Sequence, residues 1–61
     1  MLDAIKLKLQ GEIAMAKANI EIYLKNAAGI GEHGDIVQEV EAQLRKIADA
    51  EEIIEVIKKH Y

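Results

Sequence analysis

The chain contains no cysteine, proline, phenylalanine or tryptophan, and it has neither serine nor threonine. Without cysteine there is no disulfide to staple the fold and no thiolate for a metal, and the redox compartment is left unmarked. Without Ser, Thr or Cys the usual hydroxyl and thiol nucleophiles are missing, which removes most routes to covalent catalysis. No uninterrupted apolar run approaches the roughly 20 residues needed to cross a bilayer, so no membrane span is expected. The segment Met1-Leu2-Asp3-Ala4-Ile5-Lys6 lacks the charged, apolar and small-residue regions of a signal peptide. The expectation is a soluble, cytoplasmic chain.

What remains is 61 residues, 51% apolar and 31% charged, with net charge −3. At 6.8 kDa, a compact monomer would bury about 60% of its unfolded surface, roughly 6,000 Å². If about 60% of that is apolar, the hydrophobic gain is about 90 kcal/mol at ~25 cal/mol per Å². Ordering the chain costs about the same at ~1.5 kcal/mol per residue. A chain with so little surplus needs support, and with disulfides and metals excluded, self-association is the remaining common source.

Three of the four glycines fall between positions 29 and 34. On either side lie long segments rich in Ala, Ile, Leu, Glu and Lys, the pattern of two helices and a turn. In the first, Leu2, Ile5, Leu9, Ile13, Ala16, Ile20, Tyr23 and Ala27 recur in steps of 3 and 4, with Leu24 on the edge. In the second, Ile36, Val40, Leu44, Ile47, Ala50, Ile54, Ile57 and Tyr61 do the same. This spacing keeps one apolar face on a helix and fits no strand. It predicts an all-α antiparallel hairpin: helix 1 over about 2–28, a loop at about 29–34 and helix 2 over about 35–60.

Gly29 suits the left-handed residue that ends a helix, with Ile30 folding back on Leu24. Asp35, three residues before Gln38, suits the cap of helix 2. Facing residues whose numbers sum to about 63 form layers, Ala27 with Ile36, Tyr23 with Val40, Ala16 with Ile47, Ile13 with Ala50, Leu9 with Ile54 and Leu2 with Tyr61, several of which set small against large.

Helix 1 carries a second stripe, Leu7, Gly11, Ala14, Ala18 and Ile22, with Met15 beside it. A lone hairpin leaves this row in water, and Gly11 costs about 1 kcal/mol relative to Ala in a helix interior. Small residues at this spacing let another helix approach closely. With Ile53 and Val56 of helix 2, and Ala42 further up, the stripe is the expected interface of a homo-oligomer. The simplest such assembly is a two-fold dimer of hairpins, a four-helix bundle.

No catalytic, cofactor-binding or metal-binding set emerges, so the sequence reads as a non-enzyme without cofactor. Carboxylate-bridged metal bundles use inward Glu residues and Glu-x-x-His, which neither helix contains. Glu32, His33 and Asp35 crowd one loop, yet adjacent loop residues rarely converge on one ion, and capping explains Asp35 without one. Gly29-Ile30-Gly31 before a helix lacks the Lys-Ser/Thr pair and preceding strand of a phosphate loop. Lys6, Lys8, Lys58 and Lys59 gather at the open end of the hairpin. A dimer would double them into a basic patch, which gives the alternative reading of a nucleic-acid-binding regulator. Asp3, Glu52 and Glu55 dilute that field, and nucleic acid is the less favoured partner.

Tyr23-Leu24-Lys25-Asn26, then Gly29-Ile30-Gly31-Glu32-His33 and Asp35-Ile36-Val37, resemble short uncharacterised helical-hairpin proteins of tailed bacteriophages, in which Pro often stands at the place of Gly34. The resemblance covers the central third of the chain. It implies a phage-encoded accessory protein acting in the host cytoplasm, with no activity attached. In architecture alone, a dimeric helical hairpin of this length is similar to the plasmid copy-number regulators that bind paired RNA loops. No RNA-contact motif of theirs is present.

Overall fold

A computed structural model describes residues 1–26 and 33–61, with side chains from 35 onward in the second stretch. Helix α1 spans Leu2–Asn26 and helix α2 spans His33–His60. The described residues contain no strand. The helices lie antiparallel along their length in a rod of 47 × 15 × 12 Å. The expected end of helix 1 at 28, the Gly29 cap, the Ile30 contact and the Ala27 layer lie outside the described residues.

Both helices are well placed in their own dipoles. Asp3 and Asp35 fall in first turns, while Lys25 and the run Lys58, Lys59, His60 fall in last turns, where charges of those signs are favoured. Asp35 therefore sits inside α2, two residues past its start, and is not the cap expected of it. An acid anywhere in the first turn meets the same positive end, so the sequence signal marks the turn better than the boundary. At the C-terminal end of α1, the Asn26 side-chain amide donates to the Ile22 carbonyl at 3.0 Å, folding back along the last turn.

Register is fixed by two side-chain bonds across the seam. Asn19 Nδ2 donates to Gln43 Oε1 at 3.3 Å, and the Tyr23 hydroxyl donates to Glu39 Oε2 at 3.3 Å. Both pairs sum to 62, within one residue of the register expected from the facing stripes. Burial follows the same ladder. Among the described residues, Leu9 and Ala16 of α1, and Gln43, Ala50 and Ile57 of α2, are the buried ones. In that register they alternate along the seam as Ile57, Leu9, Ala50, Ala16 and Gln43, each α2 residue between α1 neighbours, as knobs of one helix filling gaps of the other.

Three members of the expected stripes leave the core. Leu44 is 52% exposed, and its place is taken by Gln43 at 6%. The seam of α2 thus runs Ile36, Val40, Gln43, Ile47, Ala50, Ile54, Ile57 in strict alternation of 4 and 3, the period of two helices wound together. Choosing the apolar Leu44 over the polar Gln43 broke that period by one residue. Tyr61 lies beyond the end of α2 and is 83% exposed, with Leu2 at 37%, so the expected terminal layer does not close.

The Asn19–Gln43 layer interrupts an otherwise apolar seam. Gln43 is buried while Asn19 is half-buried, so the two ends of the bond are not equivalent. Asn19→Ala removes the donor from a buried oxygen and is expected to cost about 1–3 kcal/mol. Asn19→Leu with Gln43→Leu removes both polar groups and is expected to recover that loss. Urea unfolding of the three chains checks it; a double variant no more stable than Asn19→Ala would contradict the assignment.

Candidate functional site

The features outside the seam are surfaces and one groove, and each starts from helix geometry. At 3.6 residues per turn, Leu7, Gly11, Ala14, Ala18 and Ile22 point to the side of α1 opposite Leu9 and Ala16, away from α2. All five are exposed, Leu7 by 69% and Ile22 by 55%. Ile53 and Val56 are exposed by 46% and 45%, but on a flank of α2 beside the seam. Ile53 faces a groove; Ala18 and Ile22 border a shallow depression with Leu24; Val56 borders another with Glu55 and Lys59. The seven residues do not share one groove.

A Cβ built on Gly11 meets nothing within 4 Å, and no glycine described has a positive φ. Neither packing nor backbone within the hairpin requires a glycine there.

The groove runs beside the seam and encloses about 370 Å³. Leu9, Ala16 and Ala50 form its floor, Met15 and Ile53 its apolar walls, and Glu12, Asn19, Gln43, Lys46 and Asp49 its polar margin. It exists because Ala16 and Ala50 are too small to fill the angle between the helices. The sequence reading missed it, although two alanines on successive levels of the seam, one from each stripe, were the signal. Its carboxylates and lysine have no hydrogen-bonded partner that would make them a proton-transfer pair, and among the described residues no three metal-capable side chains converge.

The basic cluster is partly committed to neighbours. Lys6 pairs with Asp3 at 3.8 Å and Lys8 with Glu12 at 3.8 Å. Lys58 and Lys59 share their depression with Glu52, Glu55 and His60. The loop cluster is divided: Glu32 and the His33 side chain lie outside the described residues, and Asp35 is exposed in its helix. No helix described is long and apolar enough to cross a membrane.

The negative charge of Glu39 beside the Tyr23 hydroxyl raises the tyrosine pKa above its usual 10.0, with desolvation and the hydrogen bond to Glu39 acting in the same direction. A raised folded-state value favours folding below the unfolded pKa and withdraws that contribution as pH rises through the folded one. The pair therefore supports the hairpin at neutral pH and weakens it in alkali.

The comparisons with known proteins return nothing: no family model, no curated protein and no solved structure matches this chain.

Two outcomes are expected from these local features. In a Tyr61→Phe background, where Tyr23 is the only phenol, its ultraviolet titration is expected to lie above 10.0 and to fall when Glu39 becomes Gln; an unmoved midpoint would discard the pairing. Gly11→Ala is expected to raise stability in urea by about 1 kcal/mol, and a loss instead would mean that another chain occupies the open space at Gly11.

Proposed function

We propose that this chain is a non-enzymatic structural or interaction protein that self-associates into a four-helix bundle of two hairpins. The observation that carries the reading is its surface. A compact 6.8 kDa chain should expose roughly 4,000 Å², whereas this one exposes 4836 Å². The excess, about 800 Å², is what one partner contributes to an interface of standard size. The same point follows from shape, since the radius of gyration is 14.3 Å against about 10.5 Å for a globule of this length.

The apolar character of that excess supports association over simple elongation. Among the described residues, eleven large hydrophobic side chains are more than a third exposed, Leu7, Met15, Ile22, Leu24, Val37, Leu44, Ile53 and Val56 included. They form two surfaces outside the seam. One is the outward stripe of α1, Leu7, Gly11, Ala14, Ala18 and Ile22, with Ile53 and Val56 exposed separately on α2. The other is the flank opposite the groove, around Leu24, Val37 and Leu44. A bundle covers one and leaves the other for a macromolecular partner. The resemblance of residues 23–26, 29–33 and 35–37 to phage proteins supports a phage-encoded accessory role in the host cytoplasm within this reading.

The test is the molar mass in solution by sedimentation equilibrium. Twice the chain mass at micromolar concentration and above is the expected result; a mass of 6.8 kDa throughout would overturn the proposal.

A further inference from the structure

We infer that the second copy seats on the flank opposite the groove, with the closed ends of both hairpins, where Asn26 ends α1 and His33 opens α2, at the same end of the bundle. This rests on the self-association proposed above and adds the face and the direction.

The face follows from how α2 is patterned. Val40, Ile47 and Ile54 are half-buried, because they belong to two seams at once. On one side they complete the inner seam with Gln43, Ala50 and Ile57. On the other they stand beside Val37, Leu44, Glu51 and Lys58, a second row at sevenfold spacing that is exposed throughout. A helix with two such rows sharing an edge is patterned for two neighbours, and the hairpin supplies one. The outer row of α1 is Asp3, Gln10, Lys17 and Leu24, again seven apart. Leu24, Val37 and Leu44 are 63%, 64% and 52% exposed, and with Ile20, Val40 and Ile47 they make one aliphatic patch in the closed half.

The direction follows from matching the two outer rows. With closed ends together under a two-fold axis along the rod, α2 of one copy lies antiparallel to α1 of the other. The rows then meet as Leu24 with Val37, Lys17 with Leu44, Gln10 with Glu51 and Asp3 with Lys58. Every pair sums to 61, one residue from the register of the intrachain seam, so the same helix spacing serves both contacts. Apolar residues meet at the closed end and opposite charges at the open end. Reversing one hairpin sets Leu24 and Val37 against the charged end of the other copy, where Asp3 and Lys58 lose water without gaining partners.

The sequence has no cysteine, so engineered pairs report the arrangement directly. An equimolar mixture of Asp3→Cys and Lys58→Cys chains, oxidised mildly, is expected to give the mixed disulfide dimer as its main product. A mixture of Asp3→Cys with Leu24→Cys is expected to give little. The opposite yields would show that the copies associate head to tail, leaving self-association intact and overturning the direction. Leu44→Glu is expected to halve the molar mass, while Gly11→Leu, on the outward stripe, leaves it unchanged. The reverse pattern would move the contact to the outward stripe and overturn the face. A wild-type chain of monomer mass with no cross-link in either mixture would remove the inference and the association together.

Discussion

Everything in this molecule depends on a seam one side chain wide. Two helices packed side by side can each bury only the stripe that faces the other, and here that stripe yields Leu9, Ala16, Ala50 and Ile57 as the buried apolar residues. Long helices increase the length of the seam but not its width. The folded chain removes only about half of the surface its unfolded form would expose, short of the roughly 60% typical of this size. The hairpin therefore specifies a register while leaving most of its aliphatic side chains at least partly in water.

That narrowness explains features that look unfavourable singly. Ala16 and Ala50 let the helices approach closely, and the space they leave beside the seam becomes a groove. A buried amide pair in mid-seam stabilises less than two leucines would, yet it rewards one register, since any shift separates Asn19 from Gln43. Tyr23 and Glu39 repeat the same register near the closed end with a bond that also ties the pair to pH. Gly11 has no such explanation within the hairpin.

The helices, their antiparallel pairing and their register to within one residue were legible in the sequence because hydrophobic period carries that information directly. The period also contained the Gln43 seam position, but an eye for apolar residues selected Leu44, which lies just outside the seam. Placed in the inner seam, Leu44 is lost from the outer row it forms with Val37. Burial separates the two rows of α2 because half-exposed Val40, Ile47 and Ile54 mark the edge between them. The groove was less legible, since a depression beside a seam depends on side-chain volumes across two helices and not on the pattern along either.

The central claim is that the fold and its association are one equilibrium. The most direct measurement is the urea midpoint of helix loss at two protein concentrations a thousandfold apart. A chain that folds by pairing gains about 4 kcal/mol of apparent stability over that interval by mass action, so its midpoint must rise with concentration. A midpoint that stays fixed would show that the single hairpin stands alone, and would contradict the account.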